Sequence, residues 1–176
     1  CIEGSYDKKS SCFDKRSEVC IWNIKSEKVI SFFRVNTEKI WDLDFNSKNY
    51  QHIVCATYEN TIQTYDAKKA LDSKKRRNYL NNNLSLNDFL KDLICAKFTK
   101  EGKHIIAAAN DKPVYTIDLD NLQKIKYLKC NDADLSSRDI AISHDGKFIA
   151  SGNEKLHIWE VKNWKRLFSS KELDSS

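Results

Sequence analysis

Four histidines, six cysteines and two closely spaced aspartate pairs are the groups in this chain equipped for acid–base work or metal binding. Either chemistry needs them to converge, because a catalytic proton moves within hydrogen-bond reach and a zinc ion takes three or four protein ligands together. Their spacing argues against convergence. His52, His104, His144 and His157 are scattered, none with a cysteine or carboxylate at ligand spacing, and His157 alternates with Trp159 as a packed strand residue would. The cysteines, at 1, 12, 20, 55, 95 and 130, form no Cys-x-x-Cys pair. Cys20, Cys55 and Cys95 fall in predicted strands, where a free thiol serves as a small buried hydrophobe. Asp42 and Asp44 are two apart, as are Asp132 and Asp134, so each pair shares one face of a strand. Asp42 and Asp44 interleave with Trp41, Leu43 and Phe45, which predicts a channel-facing or edge position rather than an acid–base pair. Only four glycines occur, with no Gly-x-Ser-x-Gly elbow and no phosphate-cradling loop. No catalytic residue, cofactor or metal site is assigned, and the chain is expected not to be an enzyme.

The elements that would have to position any site repeat along the chain. Ile21-Trp22-Asn23, Thr64-Tyr65-Asp66, Thr116-Ile117-Asp118 and Ile158-Trp159-Glu160 each close a short apolar run. Their central residues are separated by 43, 52 and 42 positions, two of which fit the period of roughly 40–45 residues of a four-stranded propeller blade. The last unit reads as strands at Arg138 to Ile142, Phe148 to Gly152, Leu156 to Trp159 and Trp164 to Phe168. The unit before it has strands at Leu93 to Phe98, His104 to Ala109, Val114 to Ile117 and Leu122 to Leu128. Gly102 and Gly146 take the same place in their turns, where positive φ is wanted. The second unit offers Ile40 to Phe45, Ile53 to Thr57 and Thr61 to Tyr65. Cys1 to Asp7 matches Phe148 to Glu154 in pattern, which places residue 1 inside the second strand of a blade. Trp22 and Trp159 are expected at the core position of the repeat, Trp164 half-exposed at a fourth strand, and Trp41 near a docking face.

An apolar residue, Trp and Asn or Glu after an apolar strand, with turns such as Ser143-His144-Asp145-Gly146-Lys147, resembles the WD-repeat family of β-propellers. The resemblance is strongest over Cys20 to Ile24 and Arg138 to Val161. Tyr65 and Ile117 depart from it, as does the missing Gly-His before the first strands, where Asn36-Thr37-Glu38 and Ser136-Ser137-Arg138 stand. It implies an all-β fold of four-stranded antiparallel blades, about four of them visible, within a larger, seven-bladed propeller. The remaining blades are expected from missing chain or from a partner, since an open arc leaves strand edges bare. The segments are then 1–66, a partial and a full blade; 67–92, a basic, Asn-rich inter-blade insertion; 93–170, two further blades; and 171–176, a tail.

The resemblance further implies a protein-interaction scaffold in a multi-protein complex. Its favoured docking face carries the starts of the first strands and the turns between second and third strands, where Tyr6, Tyr58, Arg138, Glu38, Asn110 and Asn153 are the candidate partner-binding residues. Lys8 to Glu18 lengthens a link on that same face. Charge adds one alternative. Of the net +5, residues 67–92 hold four, through seven Lys and Arg against three Asp. The cluster Lys74-Lys75-Arg76-Arg77 is a candidate localisation or nucleic-acid segment, the mark of an RNA-associated subunit of a ribosome-assembly or RNA-modifying complex. Ser85 to Leu90 reads as a helical turn. With no apolar run near the roughly 20 residues of a membrane span, and without a disulfide framework, an intracellular protein, cytoplasmic or nuclear, is expected.

Overall fold

The computed structural model describes residues 16–35, 37–72, 79–85, 93–110, 114–128, 137–152 and 155–170. The first sheet pairs β1 (Glu18–Asn23) with β2 (Lys28–Arg34). The second is a meander of β3 (Ile40–Phe45), β4 (His52–Thr57), β5 (Thr61–Asp66) and β6 (Leu80–Ser85), with helix α1 (Ala67–Asp72) between the last two. The third holds β7 (Leu93–Phe98), β8 (His104–Ala109), β9 (Tyr115–Asp118) and β10 (Ile125–Tyr127). The fourth holds β11 (Asp139–Ile142), β12 (Phe148–Gly152), β13 (Leu156–Glu160) and β14 (Lys165–Ser169). All pairings are antiparallel between sequence neighbours.

Apolar layers join each sheet to the next. Val19, Ile21 and Phe33 of the first meet Ile53, Cys55 and Tyr65 of the second. Val54, Ala56 and Ile62 on the other side of the second meet Leu93, Ile105 and Ile117 of the third. Ile106, Ala108 and Val114 then meet Ile140, Ile149 and Trp159 of the fourth. Central strands are covered on both faces, which is why β4 and β8 read as continuous apolar runs instead of alternating. The alanines at 107 to 109 are poor strand formers by propensity, yet all three are fully buried, where small side chains let two layers approach. The recurring signal has one structural place: Tyr65, Ile117 and Trp159 pair with Ile53, Ile105 and Ile149 of their own second strands and pack back on the preceding sheet. A bulge precedes the aromatic in each third-to-fourth strand pairing of Trp22, Tyr65 and Trp159.

Two expectations need correction. Trp22 stands at the same repeat position as Trp159 but is 53% exposed against 1%, because among the described residues no sheet precedes β1 for it to pack on. Residues 67–92, read as an inter-blade insertion, contain both α1 and β6, the fourth strand of the second blade. Asp66 caps α1 by accepting the Lys69 amide (2.8 Å), and Ala67 and Ala70 bury between the first two sheets. β6 is asparagine-rich and poor in strand propensity; the open edge of β5 supplies its ladder. Of the helical turn expected from Ser85 to Leu90, Ser85 ends β6 and residues 86–90 lie outside the described residues.

The turns at the lower ends of the inner strands lock neighbouring blades. Gly102 and Gly146 have φ of +69° and +75°, as their shared place in the repeat requires. Buried Asn46 donates from Nδ2 to the Gly102 carbonyl (3.1 Å), and the Lys100 ammonium donates to the His144 carbonyl one blade along. A Cβ at Gly102 would sit 2.3 Å from Asn46 Oδ1. Gly102→Ala is therefore expected to cost about 2–3 kcal/mol, from left-handed strain plus displacement of a buried amide. Urea denaturation should show the midpoint falling with an unchanged slope.

Candidate functional site

The upper ends of the inner strands carry the most developed surface cluster. β3 starts there, and the β4–β5 turn closes over it, with the Tyr58 amide donating to the Lys39 carbonyl (3.0 Å) and Asn60 in the left-handed region at φ +57°. That turn sets Tyr58 beside Trp41, ring centroids 6.0 Å apart, with the Lys39 ammonium 5.4 Å from the centre of the Tyr58 ring. Both rings are more than half exposed. They form an aromatic surface with a cation at its edge, suited to holding an apolar or aromatic side chain beside an acidic group.

Glu59 holds this cluster from behind. Its carboxylate accepts from the Thr37 hydroxyl and from the Glu38 amide (3.0 Å), tying the β4–β5 turn to the segment that leads into β3. Ser17 adds a bond from its hydroxyl to the Glu38 carbonyl (2.9 Å), so the first blade joins in. Thr37 and Glu59 thus supply a polar link between the segment that leads into β3 and the β4–β5 turn. Burial disfavours the charged form of Glu59, but the bonds from Thr37 and the Glu38 amide outweigh it and hold the carboxyl below the usual glutamate range. A group whose folded pKa is depressed stabilises above its unfolded value, about 4.3, and that contribution disappears as pH falls through the folded value. Glu59→Gln is expected to cost about 1 kcal/mol at neutral pH, a modest figure because the site is solvent-exposed. Unfolding curves of variant and parent should converge as the pH is lowered below about 4.

Asp42 and Asp44 clamp the second and third blades. Asp42 accepts from the Ala96 amide (3.1 Å) and from Lys97 Nζ (2.7 Å), while Asp44 accepts from the Phe98 amide (2.8 Å). Burial pushes the Asp44 carboxyl up, against the Phe98 amide and Lys97, which pull it down. The pair, expected at a channel-facing or edge position, thus supplies acceptors for hydrogen bonds between the two blades. Asn60 repeats the device at the top, accepting the Leu93 amide (3.0 Å).

Of the candidate contacts, the structure brings Glu38 and Tyr58 together with Trp41 and Lys39. Asn110, at the end of β8, and exposed Arg138, leading into β11, stand on the same face in the third and fourth blades. Tyr6, Asn153 and Lys74 to Arg77 lie outside the described residues. Lys39 and Glu59 take their roles from partners distant in sequence, Tyr58 for Lys39 and Thr37 and Glu38 for Glu59. The histidines take separate places: His104 meets Trp164 edge-on at 5.3 Å, His157 lies 5.5 Å from Trp159, and His144 sits in the β11–β12 turn. Among the described residues no group of three or more His, Cys, Asp or Glu is arranged to hold a metal ion, and no helix is long and apolar enough to cross a membrane. Burial pushes the Cys55 and Cys95 thiols far up, so both stay protonated.

Solved structures provide the comparison. The β-propeller domain of Cps50 (Swd1) from Myceliophteria thermophila superimposes with a TM-score of 0.68 at 17% identity, over 88% of this chain and 49% of that one. The fold is a β-propeller. A chain of the mitotic checkpoint complex matches with a TM-score of 0.67 at 14% identity, over 89% of this chain and 45% of that one. This chain spans about half the length of the propeller chains it matches. No protein-family model and no curated protein matches its sequence. Among the described residues the propeller arc therefore comprises two strands of one blade and three four-stranded blades, stacked through the layers described above.

Proposed function

We propose that this chain is a non-catalytic interaction platform, a propeller subunit that holds other proteins on its upper face within a multi-subunit assembly. The observation that carries the reading is the exposed Trp41–Tyr58–Lys39 cluster, set on rigid strand ends and braced by Glu59. Aromatic anchors on a rigid base lose little side-chain entropy on docking, and such residues dominate interface energetics. One of the matched chains belongs to a solved multi-protein complex, which supports the reading. Two buried cysteines outside any disulfide, Cys55 and Cys95, suit a reducing, intracellular compartment, cytoplasmic or nuclear.

Affinity purification of the protein from its native cells, with and without nuclease, tests this. A protein set that survives nuclease and is lost on Trp41→Ala supports the platform. A set that vanishes with RNA, and whose affinity falls steeply with salt, would overturn it in favour of phosphate contact through Lys74, Lys75, Arg76 and Arg77.

A further inference from the structure

Among the described residues, the carboxylate clamp that joins the inner strands of the second and third blades is not repeated at the next joint. Register places Asp42 and Cys95 at one position of the repeat, paired with Ala56 and Ala108, and Asp44 and Lys97 at another, paired with Val54 and Ile106. Asp42 and Asp44 accept the Ala96 and Phe98 amides of the following blade. The corresponding amides of the fourth blade are those of Ile140 and Ile142, and the third blade offers them Cys95 and Lys97. Asp139 accepts the first of these amides (2.7 Å). The second is left over. Because the Ser143 amide donates to the Phe148 carbonyl (3.0 Å), the neighbouring pair Ile142–Ile149 is not hydrogen-bonded, and its Ile142 amide turns away from β12. Phe98 turns its amide to Asp44 in the same way, beside the bond from the Thr99 amide to the His104 carbonyl. Lys97 is a donor only, and among the described residues no other side chain accepts from Ile142.

A cleft of about 390 Å³ opens at this place, at the lower ends of β3, β7 and β11. That is toward the small end for a ligand pocket. Phe45, Phe98 and Ile142 wall it, and two ammonium groups, of Lys97 and Lys100, face one carboxylate, that of Asp44, which already holds the Phe98 amide. Lys97 gives one bond to Asp42 (2.7 Å) and has two further N–H groups, while Lys100 is exposed. We propose that the cleft receives an acidic segment of a partner protein, its Asp or Glu carboxylate accepting from the Ile142 amide and from Lys97. Such charge-assisted bonds are the strong ones, and an apolar side chain beside the carboxylate covers Phe45, 41% exposed. The guest thus does between the third and fourth blades what Asp44 does one joint earlier. Trp41 lies at the other end of β3, so this contact is separate from the upper face.

The test uses terminally blocked heptapeptides with a central Asp or Glu among apolar residues, each beside its Asn or Gln twin, titrated into the isotope-labelled protein and followed by amide NMR. Acidic peptides are expected to bind about 10- to 100-fold tighter than their twins, the worth of a charged hydrogen bond, and to shift the Ile142 amide but not that of Trp41. Lys97→Asp puts a carboxylate where the second blade has Asp44. It should fill the site and abolish binding, with the far-ultraviolet circular dichroism unchanged. Should that variant lose its β-sheet signal, Lys97→Gln takes its place and should cost at least about tenfold in affinity. Trp41→Ala should leave the affinity as it is, which separates this contact from the one proposed for the upper face. No preference for acidic peptides over their twins, an affinity indifferent to Lys97, shifts confined to the upper face, or equal binding of inorganic phosphate would each overturn the proposal.

Discussion

Trp159→Ala is expected to lower the unfolding free energy by about 3–5 kcal/mol, a large share of the roughly 5–15 kcal/mol that holds a typical domain together. The indole is 1% exposed and lies in the layer between the third and fourth blades, against Cys95, Ile106, Ala108 and Val114. Those neighbours are short or β-branched side chains on strands fixed by their own ladders, so they cannot move in to fill the space. Removing the ring thus forfeits its transfer energy and leaves a cavity whose cost persists. The loss concentrates at one joint. Blade stacks are close to a chain of nearest-neighbour contacts, so the fourth blade should detach before the rest. Hydrogen exchange should show β11 to β14 losing protection first, with β4 and β8 retaining theirs; uniform loss across all four sheets would count against nearest-neighbour coupling.

Trp41→Ala and Tyr58→Ala are each expected to weaken binding of a protein recovered on the upper face by about 30- to 1,000-fold, or roughly 2–4 kcal/mol. Both rings are exposed, so stability should change little, and thermal melting provides the control. The rings touch, with centroids 6.0 Å apart at 56°, and the Lys39 ammonium lies over one of them. Their effects should accordingly fall short of additive: a double-mutant cycle, read by calorimetry, should give a coupling above about 0.5 kcal/mol. Lys39→Gln should cost less, about 0.5–1 kcal/mol, since an exposed cation–π contact is weak. Affinity that survives loss of both rings would place the partner elsewhere.

Strand positions were legible because the repeat states them several times. The predicted limits of β7 and β8 match the observed strands, and Gly102 and Gly146 take the positive φ their shared turn position demands. α1 had a readable signal in Asp66 followed by Ala-Lys-Lys-Ala, a capping residue before good helix formers, but the surrounding basic and asparagine-rich composition obscured it. β6 had none: its pairing with β5 is a property of the edge it meets. Of the candidate contacts, Tyr58 and Glu38 were placed by the repeat, whereas the grouping of Tyr58 with Trp41 depends on a left-handed turn at Asn60 and on Glu59 reaching back to Thr37.

The sequence by itself determined the blade period, the order of the strands other than β2 and β6, and the face on which the turns lie, because each follows from local alternation and turn chemistry repeated at fixed spacing. Tertiary structure alone decided which members of a repeated position are buried. Trp22 and Trp159 are the same residue in the same motif, and Ile62 and Leu156 hold equivalent places, yet one of each pair is covered and the other exposed. Burial at these sites comes from the adjacent blade, and no local pattern records whether that blade is there.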